Sequence, residues 1–120
     1  MKYRESEETY LETIFVLKKE KDDLHATDIA LALNFSKPSV SRALGLLEKR
    51  GYIVRDSSGK IELTQDGKKR SEDIYERHSV ITKLLTKLGA SQSVAEDNAC
   101  RIEHVITPEL FEIIKNFAKK

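Results

Sequence analysis

Three observations predict a mainly α-helical chain carrying one small β-hairpin in its first half. Apolar residues recur at helical spacing over most of the 120 residues. Helix start signals at Ser36-Lys37-Pro38 and Thr107-Pro108, and stop signals at Gly51 and Gly89, punctuate that pattern. Two short strand-like segments, 52–55 and 60–63, flank the turn Asp56-Ser57-Ser58-Gly59. The expected architecture is an N-terminal winged helix-turn-helix over residues 1–70, followed by an all-helical dimerisation domain over residues 71–120. A long helix from about residue 65 joins the two.

Residues 5–19 form an amphipathic first helix with Tyr10, Leu11, Ile14, Phe15 and Leu17 as apolar anchors, and with Glu5, Glu8, Thr9 and Glu12 on its polar side. A second helix starts at His25 or Thr27, is filled by Ile29, Ala30, Leu31 and Leu33, and breaks at Asn34-Phe35-Ser36. Ser36 is then a good N-cap for a third helix, with Pro38 in its first turn, where a missing backbone donor costs little. Its buried stripe is Val40, Ala43, Leu44 and Leu47. Helix, short turn and helix is the arrangement in which the second helix enters the DNA major groove, and the hairpin that follows reads as a wing.

Thr64 caps the long helix, about 65–87, along which Ile74, His78, Ile81, Leu85 and Leu88 make a continuous seam. Residues 93–106 are helix-compatible through Val94, Ala95, Ala99, Ile102, Val105 and Ile106. A last helix starts at Thr107-Pro108 with the stripe Leu110, Ile113, Ile114 and Phe117. Three helices after the wing exceed what the wing's own core needs. They suggest a homodimer, because a palindromic operator requires two recognition helices about one DNA turn apart.

The net charge of +1 is uninformative by itself, but its distribution is not. Residues 37–70 hold nine basic and four acidic groups, whereas residues 1–28 hold five basic and eight acidic. The positive charge coincides with the helix-turn-helix and wing. Ser39 and Arg42 are the candidates for base edges, Arg42 bidentate to guanine, with Pro38 touching a thymine methyl. Ser36, Lys37, Ser41, Arg55 and Lys60 are assigned to phosphates, where they add affinity but little sequence choice.

The single cysteine excludes an intrachain disulfide, and neither a secretory leader nor a bilayer-length apolar run is visible, so a cytoplasmic protein without a membrane partner is expected. Cys100 is either a small buried hydrophobe or a thiolate with a task. At about 100° per residue, Glu103 and His104 share a helix face with it, so soft, hard and borderline donors crowd one turn, as metal ligands do. His78, taken alone, reads as a satisfied core or seam residue sooner than as a ligand. An enzyme built on Cys100 and His104 would need an activated thiol, an oxyanion-stabilising group and a concave substrate site. The sequence identifies none of these, and no small organic substrate is expected.

Five separated segments together resemble the diphtheria toxin repressor family of metal-dependent transcriptional regulators. They are residues 8–15 (Glu-Thr-Tyr-Leu-Glu-Thr-Ile-Phe), Ser36-Lys37-Pro38-Ser39-Val40-Ser41, Leu63-Thr64-Gln65-Asp66-Gly67, Arg77-His78, and residues 99–105 (Ala-Cys-Arg-Ile-Glu-His-Val). The likeness is to the short members similar to the manganese transport regulator, which lack the SH3-like third domain. It implies a homodimeric repressor that binds an inverted-repeat operator in double-stranded DNA when loaded with Mn(II) or Fe(II), with Zn(II) or Co(II) as substitutes, and that controls metal homeostasis genes. The implied ligands are Glu12, His78, Cys100, Glu103 and His104.

This chain departs from either branch of the family. Thr9 stands where the manganese branch has aspartate and the iron branch methionine, with Glu8 as the nearby substitute; Cys100 is the iron-branch residue and Glu12 the manganese-branch one. The competing reading is a metal-independent winged-helix regulator whose ligand-like residues are vestigial or structural.

Overall fold

The computed structural model describes residues 6–119. Six helices and one hairpin follow in order: α1 (Glu7–Glu20), α2 (Ala26–Leu33), α3 (Lys37–Lys49), β1 (Ile53–Arg55), β2 (Ile61–Leu63), α4 (Gln65–Lys87), α5 (Gln92–Ile102) and α6 (Pro108–Ala118). The contacts divide the chain into two compact units, one ending at Glu72 and the other beginning at Asp73. Residue 5, placed in the first helix from its sequence, lies outside the described residues. No described helix is long and apolar enough to cross a membrane.

In the first unit each helix starts where a side chain satisfies its open backbone donors. Ser6 accepts from the Thr9 amide at 3.1 Å, and Ser36 accepts from the Ser39 amide at 3.3 Å. The second helix starts after His25, whose amide donates to the Asp28 carboxylate at 2.9 Å. Asn34 ends that helix in the left-handed region, at φ 57°. The tight join this creates delivers the chain directly to Ser36, completing the expected helix-turn-helix. Tyr10, Leu11 and Ile14 of α1, Ile29 and Leu33 of α2, and Val40, Leu44 and Leu47 of α3 are buried together with Leu24, Ile53 and Ile61. Each such aliphatic side chain contributes about 1.5–3 kcal/mol of burial.

The hairpin pairs Ile53 with Leu63, Val54 with Glu62 and Arg55 with Ile61 in antiparallel register. Its base is held by a third segment, since the Ile61 amide donates to the Leu24 carbonyl at 2.8 Å. Lys18 reaches Glu62 at 3.0 Å, tying α1 to the wing. Thr9 departs from the expectation of a polar-face residue. It is buried, and its hydroxyl lies 3.0 Å from the Ser6 hydroxyl, as part of the helix start.

In the second unit Ile74, Ile81, Ala95, Ala99, Phe111 and Ala118 are buried. Ala95 and Ala99 are one turn apart, so α5 turns its smallest side chains inward. The Lys115 ammonium donates to Glu76 at 3.2 Å, and that of Lys87 to the Ala118 carbonyl at 2.8 Å, fastening α6 to α4.

Three expectations for this unit change. The helix expected over residues 93–106 stops at Ile102, four residues earlier than its apolar pattern suggested, because Glu103 caps it and 104–105 form a turn. Leu88, expected in the seam of α4, is exposed past the helix end, and Val94 and Val105 are also exposed. The α6 stripe is not the buried face: Leu110, Ile113 and Phe117 are 48%, 59% and 56% exposed, while Phe111 and Ala118 are buried.

Candidate metal centre and DNA-reading face

The second unit brings four of the five expected ligands, His78, Cys100, Glu103 and His104, to one place. His78 projects from the middle of α4 and Cys100 from the last turn of α5, while Glu103 is the helix cap and His104 the next residue. Ending the helix at Ile102 matters here: His104 is set by a turn and not by helical rotation. Even so, one donor atom each from Cys100, Glu103 and His104 lie within 4.8 Å of one another.

Glu103 is the centre of the group and is fully buried, at 0% exposure. His78 Nδ1 lies 2.9 Å from its Oε2. His104 Nε2 approaches Oε1 at 3.3 Å, yet among the described residues Oε1 has no partner in hydrogen-bond geometry. A buried carboxylate oxygen left without a donor is expensive. A divalent cation would satisfy it, and a thiol, a carboxylate and two imidazoles are the donor set such an ion takes. The residues present therefore fit a metal.

The hydrogen bond to Glu103 raises the His78 pKa above its ordinary 6.5. Burial opposes that shift, and the charges of Glu103 and Glu96 add to it. A histidine with a raised folded-state pKa contributes stability that is fully present below its unfolded value and is lost as pH rises through the folded one. The metal-free protein is therefore expected to melt higher at about pH 6 than at about pH 8, and His78→Gln to reduce this difference. Thermal unfolding with chelator present checks it.

Glu12 is half-buried on α1, in the unit that ends at Glu72. Glu8, the alternative at the place of Thr9, has a cation of its own unit beside it: Arg70 Nη2 is 3.5 Å from its Oε2 and also 3.5 Å from Glu7 Oε1.

On α3, Lys37, Pro38, Ser41 and Arg42 are exposed, as base or phosphate contacts must be, and Ser39 is half-buried. Ser36 donates its hydroxyl to Ser39 Oγ at 3.0 Å, and Arg42 Nη2 donates to the same oxygen at 3.5 Å. Ser39 thus orients Arg42 along the helix surface. Arg55 and Lys60 are less free than the sequence suggested. Arg55 is paired with Glu48, and Lys60 with Asp22 at 2.9 Å and Glu62 at 3.4 Å. The pairing of Lys60 with Asp22 spans 38 positions, so no local spacing announces it. The sequence singled out Arg77 only as part of the Arg77-His78 segment of the resemblance, with no role of its own, although it donates to the Glu103 carbonyl at 3.1 Å.

Comparison with known proteins finds a family model for each half of the chain. Residues 2–59 match the family model described as iron-dependent repressor, N-terminal DNA-binding domain. Residues 64–120 match iron-dependent repressor, metal-binding and dimerisation domain. A helix-turn-helix-type transcriptional regulator of Methanocaldococcus jannaschii is 30% identical over 118 residues, covering 97% of this chain and 94% of the relative. The transcriptional regulator MntR of Escherichia coli is 30% identical over 117 residues, covering 98% of this chain and 76% of the relative. Among solved structures, the IdeR of T. acidophilum superposes with a TM-score of 0.86 at 24% identity, a likeness of fold; it covers 98% of this chain, which spans only 55% of that one. With both halves matched in order, the chain belongs to the iron-dependent repressor family of metal-dependent transcriptional regulators, which bind DNA through the N-terminal domain and bind metal and dimerise through the C-terminal one.

Proposed function

We propose that the chain works as a cytoplasmic homodimeric repressor, activated by Mn(II) or Fe(II), that binds an inverted-repeat operator and controls metal homeostasis genes. The observation that carries the metal reading is the buried Glu103 carboxylate, amid Cys100, His104 and His78, with one oxygen that has no hydrogen-bond donor among the described residues. Those four residues are the proposed ligands, and the resemblance to the family adds Glu12 as the fifth. When bound, a divalent cation supplies the positive charge that offsets carboxylate and thiolate in a buried place. The Cys100 thiolate adds softness, so Zn(II) and Co(II) are expected to compete in vitro with the two physiological candidates.

Without that charge the acidic donors repel one another, and the chain samples states poorly arranged for reading DNA. With it, the arrangement competent for the operator becomes the dominant population. Dimerisation is supported by α6, which leaves Leu110, Ile113 and Phe117 exposed on one helical face. Burial against a second copy would remove that apolar surface from water.

Operator affinity measured at fixed ionic strength against added Mn(II), Fe(II) and Zn(II) tests the proposal. Affinity indifferent to metal would leave the ligand-like residues structural and sink the regulatory reading. On the DNA side, Arg42 is proposed to read a base, with Ser39 beside it, Pro38 making the apolar contact, and Ser36, Lys37, Ser41, Arg55 and Lys60 serving phosphates. For Arg55 and Lys60 the phosphate must draw them away from Glu48, Asp22 and Glu62. Arg42→Ala is expected to cost about 1–3 kcal/mol on the operator and to relax preference at one base pair. Binding selections with randomised sites check it, and an equal loss on every sequence would make Arg42 a backbone contact.

A further inference from the structure

We infer that Arg77 is a positioning residue for the metal centre, acting through the main chain of Glu103; this rests on the ligand reading above. Arg77 and His78 are consecutive on α4, and both reach residue 103. Arg77 Nη1 donates to the Glu103 carbonyl at 3.1 Å, while His78 Nδ1 meets the Glu103 carboxylate at 2.9 Å. One helix therefore grips the central ligand at its backbone and at its side chain.

The need for that grip follows from where α5 ends. Glu103 is the C-cap, and His104 lies in the turn beyond it. The amides of Val105 and Ile106 both return to the Ile102 carbonyl, at 3.0 and 3.1 Å. The chain thus reverses immediately after the ligands. Carbonyls at a helix C-terminus have no intrahelical donor and carry the negative end of the helix dipole. A guanidinium placed there makes a charge-assisted hydrogen bond and fixes the plane of the peptide between Glu103 and His104. Rotation of that plane would redirect both side chains at once. Cys100, on the regular part of the helix, has its direction set by the helix itself. Arg77 accordingly sets the angle at which carboxylate and imidazole converge with the thiol, and it does so without offering a donor to a metal.

The test uses the full chain with Arg77→Met, Arg77→Gln and Arg77→Lys. Co(II) serves as the probe, because its thiolate charge-transfer and ligand-field bands report which donors bind and in what geometry. A charge-transfer band in the wild type that vanishes in Cys100→Ser is the control for the ligand reading; its absence would sink that reading and the role of Arg77 with it. Given the band, Arg77→Met is expected to bind Co(II) about tenfold more weakly with altered ligand-field bands, and Arg77→Lys to recover part of the loss by restoring charge and donor. In the metal-free protein, amide exchange at 103–106 should rise about tenfold in Arg77→Met, with the amides of Ala95 and Ala99 unchanged. If Arg77→Met loses its helical signal, Arg77→Gln, too short to reach the carbonyl, is read in its place. Wild-type Co(II) affinity, spectrum and exchange rates in the folded variant would overturn the inference.

Discussion

Replacing Glu103 by glutamine is expected to abolish the metal-induced rise in thermal stability while leaving the metal-free protein folded. The wild type in metal at about 100 times its Kd should gain about 2.7 kcal/mol, since a ligand that binds only the native state stabilises it by mass action. Glu103 is the fully buried member of the proposed ligand group, in contact with His78 and close to His104. The amide keeps the side chain's volume but removes its charge, and with it the main reason a cation would enter. Affinity is expected to fall at least about a hundredfold, the upper end of what a supporting residue produces. In the metal-free state the cost is smaller, because the glutamine amide keeps a side-chain oxygen that can accept from His78 Nδ1. Calorimetric scans of both proteins with chelator and with Mn(II) decide the matter. A full-sized metal shift in Glu103→Gln would remove this carboxylate from the ligand set.

The second large effect is expected at Gly67, in the first turn of α4. A Cβ there would sit 2.0 Å from the Tyr52 carbonyl oxygen, 2.9 Å from its carbon and 3.2 Å from Leu63 Cδ2. Two of these are main-chain atoms and cannot swing aside. The Tyr52 carbonyl also accepts from the Thr64 amide at 3.0 Å, and Thr64 Oγ1 donates to the Gly51 carbonyl at 2.6 Å while accepting from the Gly67 amide at 3.1 Å. Moving α4 away would break the joint between the wing and the long helix. Gly67→Ala is therefore expected to destabilise the protein by about 3 kcal/mol or more. Helix propensity alone predicts the opposite sign, a gain of about 1 kcal/mol. Urea unfolding distinguishes them by direction, and a stabilised variant would mean that the backbone yields at little cost.

The local signals that made the fold legible are the ones set by neighbouring residues. Ser36 before Pro38, Thr107 before Pro108, and the glycines at 51 and 89 mark helix ends by backbone chemistry that needs no distant partner. The turn at Gly59 between two β-rich segments marks the wing in the same way. Apolar periodicity proved weaker where a short unit has little interior to fill. In α6 the stripe Leu110, Ile113 and Phe117 is real as a pattern but faces outward in the single chain, because period alone does not distinguish an inner face from one kept for a second copy.

The candidate site divides along the same line. Cys100, Glu103 and His104 were legible as a group because three donor types fall within five residues, and His78 joined them through resemblance. Pattern could not show that α5 stops at Ile102, that Thr9 serves a helix start, or that Arg55 and Lys60 already hold carboxylate partners. By itself the sequence determined the order of elements, the kind of DNA-reading motif and the chemistry of the donors, all of which depend on residue type and short-range spacing. Only the tertiary structure decided that His78 and Arg77 converge on Glu103, and that Gly67 lies against the Tyr52 carbonyl. Such contacts join residues many positions apart, and packing, which acts between surfaces brought together after local structure forms, selects among partners that local spacing leaves equivalent.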